Sequence, residues 1–118
     1  MNFSSTQTIP IFLYIVASLF GAVGQLFYKW GAQGISEGRP FNLHLLFGVI
    51  CFLVVMVFFV LGFKLGGRLS VIYPFYGLTF IWGALLGKIF EKEPIHFGQS
   101  CGILVMILGL GILNFFKD

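Results

Sequence analysis

The sequence predicts an all-α membrane protein whose four transmembrane helices form an up-down antiparallel bundle. Two observations support this fold class. First, 58% of the 118 residues are hydrophobic and only 9% are charged, whereas about 25% of an ordinary soluble domain is charged. Second, the seven basic and four acidic residues all lie at the ends of four apolar windows or between them. Because charges are costly at the bilayer centre, this distribution indicates membrane spans.

Each apolar window is about 20 residues long, which is the length that a helix needs to cross a bilayer. The predicted spans cover residues 9–28, 43–63, 69–87 and 97–116 of a single domain, 1–118. Short connections that contain Gly and Pro predict antiparallel neighbours. The first window is interpreted as a mature helix, because residues 1–9 lack the Lys or Arg that begins a signal peptide.

The composition also excludes other classes of protein. A chain this apolar is neither disordered nor a secreted disulfide scaffold, and a net charge of +3 without a basic patch does not favour nucleic-acid binding. The windows do not alternate apolar and polar residues as a membrane β-barrel requires. Cys51 and Cys101 both fall inside windows, where a thiol behaves as a small apolar side chain.

The basic residues hardly bias the orientation of the chain in the membrane. With four spans, one side carries Lys64, Arg68 and Lys117, and the other carries Lys29, Arg39, Lys88 and Lys92. This near balance leaves two interpretations open. Either a factor outside the sequence fixes the orientation, or the chain inserts both ways or pairs with an inverted partner.

A polar stripe runs along the first span. Its members are spaced by three or four residues, which places them on one helix face: Tyr14, Ser18, Gly21, Gln25 and Tyr28. The amide of Gln25 needs a partner in hydrocarbon, so it is expected to face protein, substrate or water. It either forms an interhelical hydrogen bond or lines a substrate path.

Lys29 extends this stripe, since it follows Gln25 by one helical turn. A cation in this position can bind an anionic group such as a lipid phosphate. The alternative is a snorkelling side chain that anchors the end of the span.

The third and fourth spans carry the remaining candidate residues. Tyr73 and Tyr76 are either residues of the interfacial aromatic belt or an aromatic pair that contacts ligand. Pro74 lies in the first turns of its span, where a missing N–H is tolerated. Glycines of the fourth span predict close helix packing or dimerisation: Gly98, Gly102 and Gly109.

Several kinds of chemistry are absent from the sequence. No Asp or Glu lies inside a window, which argues against the intramembrane carboxylate that a proton-coupled exporter of cations needs. The sequence contains no Ser-His-Asp set, phosphate-binding loop or metal-ligand spacing, and His44 and His96 lie at span edges. We therefore expect no enzyme, no cofactor and no metal site.

The order of motifs resembles the four-helix members of the drug/metabolite transporter superfamily. The stretch from Ala17 to Lys29 is similar to their first-span signature, and Ser70 to Pro74 is similar to the start of their third span. Trp82, the Glu93-Pro94 pair and the glycine-spaced last span that ends in Asn114 also match. The resemblance covers nearly the whole chain. The superfamily includes EamA-like and small multidrug resistance-like members.

Two branches of that superfamily are candidates for this chain. The small multidrug resistance branch forms antiparallel dimers that export organic cations by proton exchange through a first-span Glu, and the equivalent position here is Gly21. Tyr73 and Tyr76 align with the aromatic substrate contacts of that branch. The undecaprenyl-phosphate-aminoarabinose flippase subunits resemble the chain more closely. They share the Val23 to Leu26 run, the following Lys29 and the Tyr-Pro pair, and they lack the Glu.

The resemblance to the flippase subunits implies a multi-pass transporter subunit of the bacterial inner membrane for a polyprenyl-phosphate-linked sugar or a similar anionic lipid. Its partner would be a second copy or a similar four-span subunit in an inverted dimer. On this hypothesis Tyr73 and Tyr76 contact the headgroup or isoprenoid, and Lys29 contacts the phosphate. The polar path is lined by Gln25, Ser18 and Tyr14. The alternatives are a small multidrug exporter of cations and a membrane scaffold that interacts through the fourth span.

Overall fold

The computed structural model describes residues 6–117, so residues 1–5 and 118 of the predicted domain lie outside the described part. The helices are α1 (Thr8–Ser36), α2 (Leu43–Lys64), α3 (Leu69–Ile72), α4 (Leu78–Phe90) and α5 (Phe97–Phe115), with a 3₁₀ helix, Tyr73–Gly77, between α3 and α4. Four segments are long and apolar enough to cross a membrane: α1, α2, the third span Leu69–Phe90, and α5. The predicted all-helical, four-span fold class is confirmed.

Helix α1 continues beyond the predicted window, which ends at residue 28, and reaches Ser36. Lys29 does not end the helix, because lysine itself favours helix and its side chain is exposed. The next turn contains Ala32 and Gln33, which favour helix. The chain turns away at Gly38, whose φ of +86° is one that glycine adopts without strain.

The third span is not a continuous α-helix. Pro74 lacks the N–H that an α-helix would use at this position, and the backbone tightens into the 3₁₀ helix from Tyr73 to Gly77. Pro74 lies in the first turn of this 3₁₀ helix, where its missing N–H is tolerated. The α-helical geometry resumes at Leu78 and continues to Phe90, beyond the predicted end at residue 87.

Helix α1 is central and packs against both α2 and the third span. It runs opposite to α2, because Tyr14 near its start contacts Phe63 near the end of α2, with ring centroids 5.9 Å apart, whereas Gly31 lies against Leu45. The main core cluster joins α1 to the third span and consists of Ile11, Tyr14, Val71, Ile72 and Phe75. Helix α5 has no buried residue and lies at the periphery.

Candidate functional site

The middle of the predicted stripe packs against the third span. Ser18 is fully buried, and its hydroxyl accepts a hydrogen bond of 3.1 Å from the indole nitrogen of Trp82. The same hydroxyl donates to the carbonyl of Ile15 one turn earlier. Both hydrogen-bonding functions of this hydroxyl are satisfied by protein, so Ser18 connects two spans.

Gly21 lies beneath the end of the Tyr76 ring. A Cβ atom at Gly21 would collide with the Tyr76 hydroxyl and would lie 3.0 Å from its Cζ and 3.3 Å from Oγ1 of Thr79. The Tyr76 ring is held from the side by Phe59 of α2, with centroids 4.9 Å apart in an edge-to-face contact. Tyr76 therefore occupies the space into which a longer side chain at position 21 would project.

Tyr14 belongs to the core. Only 1% of its surface is exposed, and its ring lies 4.7 Å from that of Phe59. Gly62 provides room for it, since a Cβ there would lie 2.8 Å from Cε1 of Tyr14. The predicted stripe thus divides, because its first three members, down to Gly21, are packed between helices while Gln25 is exposed.

A polar cluster, which we name the Lys29 cluster, joins the second half of α1 to the connection between α4 and α5. It consists of Lys29, Trp30, Glu91 and Glu93. The Lys29 ammonium lies 2.8 Å from Oε2 of Glu93, and the Trp30 indole donates to Oε1 of Glu91. The sequence analysis considered Lys29 as a cation for an anionic group or as a snorkelling anchor, and the structure gives it a carboxylate partner.

The remaining predicted residues lie apart. Tyr73 is 57% exposed, and Tyr28 stacks on Phe52 of α2 at 5.2 Å. Gly98, Gly102 and Gly109 would each have open space around an added Cβ. In the described part of the chain, none of these glycines makes the close helix contact that their spacing predicts.

A second polar cluster lies at the opposite end of the bundle. The buried side chain of Gln7 donates to the Gly66 carbonyl at 3.0 Å and accepts from the Arg68 amide at 2.8 Å. The Arg68 guanidinium donates to the carbonyl of Lys117 at 2.7 Å. These contacts tie the start of α1 and the end of α5 to the connection between α2 and α3.

Sequence reasoning missed three partners in these clusters. Trp82, Glu91 and Glu93 are more than 60 residues away from Ser18, Trp30 and Lys29 in the chain. The available signal was topological, since the ends of the first and third spans lie on the same side of an up-down bundle. Within residues 6–117, no group of three His, Cys, Asp or Glu side chains is placed to hold a metal ion.

The fold and these clusters define a small multi-pass membrane protein with four helical spans. Its relatives are named as flippase subunits. The probable 4-amino-4-deoxy-L-arabinose-phosphoundecaprenol flippase subunit ArnE of Escherichia fergusonii is 29% identical over 103 residues, which covers 85% of this chain and 92% of that protein. The protein of the same name from Erwinia tasmaniensis is 30% identical over 104 residues, covering 88% of this chain and 95% of the relative. The chain belongs to the ArnE flippase-subunit family.

The resemblance drawn from the motifs is thereby confirmed. No family model matches the chain, and no solved structure matches it.

Proposed function

We propose that this chain is a subunit of a bacterial inner-membrane flippase for a polyprenyl-phosphate-linked sugar, such as 4-amino-4-deoxy-L-arabinose-phosphoundecaprenol. The similarity to two flippase subunits over at least 85% of the chain carries this proposal. The role is one of transport and not of catalysis. The relatives' names include a lipid phosphate, and Lys29 is the basic residue on the polar face of α1 that could meet it.

Lys29 is the proposed phosphate contact. Its ammonium is 44% exposed and its partner Glu93 is 57% exposed, so water and lipid headgroups reach both. An ion pair this exposed to solvent contributes little to stability. A phosphate can therefore replace Glu93 at low cost, because the incoming anion takes over the same donor hydrogens.

The proposed path follows the face of α1 that carries Ser18, Gly21 and Gln25, with Tyr14 at its far end. Since Tyr14 and Ser18 are buried between helices, the path opens only when α1 separates from the third span. The 3₁₀ helix interrupts the third span beside this face, and such a segment often marks a hinge. Tyr73 and Tyr76, both on that 3₁₀ helix, would contact the headgroup or isoprenoid.

A single chain encloses little space, and we infer that it works as an inverted dimer with a second copy or a similar four-span subunit. Helix α5 supports this, because it has no buried residue and carries open glycines at positions 98 and 102. Small residues let helices approach closely in a membrane. The contact between chains is proposed along this helix.

Export of organic cations by proton exchange is not favoured. The four acidic residues of the sequence, Glu37, Glu91, Glu93 and Asp118, all lie outside the four spans. The position that the exporters use for their Glu is Gly21, and Tyr76 blocks it.

The function is tested by reconstituting the chain in liposomes, alone and with a candidate partner subunit, and by measuring inward movement of a labelled polyprenyl-phosphate aminoarabinose. We expect flipping above that of protein-free liposomes in at least one of the two preparations. Absence of flipping in both, with a quaternary ammonium current instead, would replace the proposed substrate by a cation.

A further inference from the structure

The connection between α1 and α2 forms a cavity with the ends of both helices, which we name the α1–α2 cavity. Its polar part has a volume of about 340 Å³ and is lined by Trp30, Gln33, Gly34, Glu37, Arg39 and His44. An adjoining part of about 480 Å³ shares three of these residues and continues along Phe27, Leu43 and Phe47. Both parts are widely open to the surface, and their volumes are in the range of small-molecule sites.

The backbone around this cavity is fixed by hydrogen bonds. The Arg39 amide donates to the Gly34 carbonyl at 2.9 Å. The side-chain nitrogen of Asn42 donates to the carbonyls of Arg39 and Gly31 at 3.1 and 3.2 Å, while its oxygen caps α2. The base of the Arg39 side chain is therefore held in place before any ligand arrives.

The cavity presents one positive and one negative charge side by side. The guanidinium of Arg39 is hydrogen-bonded to the carboxylate of Glu37, and both side chains are more than 60% exposed. A ligand with only a phosphate would be repelled by Glu37, and a ligand with only an amine would be repelled by Arg39. A ligand with both groups exchanges the internal pair for two charge-assisted pairs.

The cavity is also amphipathic along the membrane direction. Its charged residues precede α2, which begins at Leu43, whereas Leu43 and Phe47 of its second part lie on α2 and are exposed. His44 lines both parts, and its ring lies 6.3 Å from that of Phe27 and 5.6 Å from that of Trp30. The charged part can accommodate a lipid headgroup, and the apolar part along α2 can accommodate the first part of its hydrocarbon chain.

We propose that the α1–α2 cavity is a binding site for the headgroup of an amine-bearing polyprenyl-phosphate sugar, outside the stripe on α1. Arg39 binds the phosphate, Glu37 binds the sugar amine, and the isoprenoid lies along Phe27 and Phe47. This inference rests on the proposed function for the substrate. Trp30 lines the cavity and also donates to Glu91 of the Lys29 cluster, so the two sites are neighbours.

The test measures binding to the full chain in phosphatidylcholine nanodiscs by isothermal titration calorimetry. The probes are a short-chain polyprenyl-phosphate 4-amino-4-deoxy-L-arabinose and the same lipid with its amine acetylated. In a Lys29→Ala background, which removes the other proposed phosphate contact, Arg39→Gln is expected to weaken binding of both probes about tenfold, because it removes a charge-assisted contact to phosphate. Glu37→Gln is expected to weaken binding of the amine probe, also about tenfold, and to strengthen binding of the acetylated probe, whose phosphate Glu37 repels.

The matched control is Lys64→Gln, which removes an exposed positive charge at the other end of α2 and should leave both affinities unchanged. Wild-type binding with unchanged affinities in Arg39→Gln and Glu37→Gln would overturn this inference and leave the proposed function intact. Absence of wild-type binding would overturn both. Equal competition by phosphatidylethanolamine, which also carries a phosphate and an amine, would overturn the assignment to the sugar lipid.

Discussion

A methyl group at position 21 tests how closely α1 packs against the third span. In the structure, the Cβ of a Gly21→Ala variant would collide with the Tyr76 hydroxyl and would lie 3.0 Å from Cζ of the same ring. The ring cannot simply move aside, because Phe59 packs against it with a centroid distance of 4.9 Å. We therefore expect the variant to strain this helix contact.

The expected magnitude combines two opposing terms. Overpacking in a close contact costs about 1–3 kcal/mol, and replacing glycine by alanine in a helix gains up to about 1 kcal/mol. Gly21→Ala should therefore lower the free energy of unfolding by about 1 kcal/mol. In a Tyr76→Phe background the hydroxyl is gone, so the same substitution should be neutral or stabilising, with a coupling of about 1 kcal/mol or more.

The assay is unfolding by sodium dodecyl sulfate in mixed micelles, followed by tryptophan fluorescence. Tyr73→Phe is the matched control, because it removes a hydroxyl from the exposed tyrosine of the same 3₁₀ helix and should give no rescue. If Gly21→Ala is as destabilising in the Tyr76→Phe background as in the wild type, the close contact between α1 and Tyr76 is refuted.

Two further predictions concern the polar contacts of α1. Glu93→Gln should lower the half-saturating lipid concentration for flipping about two- to fivefold, because Lys29 is released from a half-exposed ion pair; concentration dependence of flipping in proteoliposomes measures this. Ser18→Ala should lower the free energy of unfolding by about 0.6–1.7 kcal/mol, because it removes the interhelical hydrogen bond from Trp82; the same detergent titration measures this.

Each of these predictions has a matched control. Glu91→Gln removes a carboxylate that is hydrogen-bonded to Trp30 and acts on Lys29 only through its charge, without a hydrogen bond, so the half-saturating concentration should change less than in Glu93→Gln. Ser36→Ala removes an exposed hydroxyl that bonds only to the carbonyl of Ala32 within its own helix, so stability should hardly change. A weaker lipid affinity in Glu93→Gln, or equal stability of Ser18→Ala and wild type, would contradict the reasoning.

The number and approximate position of the spans could be predicted because the bilayer imposes a simple rule. Apolar windows of sufficient length must be helical, and unpaired charges lie outside them. The rule gives the apolar stretch and not the end of the helix. Helix α1 continues past Lys29 to Ser36, because residues beyond the apolar window can also favour helix.

The arrangement of the site could be predicted only in part. Helical spacing correctly indicated that Ser18 and Gly21 share a face, and both meet the third span. Which residues of the third span contact them depends on how two distant segments pack. The spacing of residues within one helix gives no information about that packing. The 3₁₀ geometry around Pro74 also depends on this packing, since Phe75 beside it is buried in the core cluster with Tyr14.

The central claim is that this subunit moves a polyprenyl-phosphate-linked sugar whose phosphate is bound by Lys29. The most direct test is the initial flipping rate of labelled polyprenyl-phosphate aminoarabinose in proteoliposomes, compared among wild type, Lys29→Ala, Lys29→Arg and the control Lys64→Ala. Loss of a charge-assisted phosphate contact predicts a decrease of about tenfold or more in Lys29→Ala, substantial activity in Lys29→Arg, and no change in Lys64→Ala. A Lys29→Ala rate equal to that of the wild type would contradict the claim.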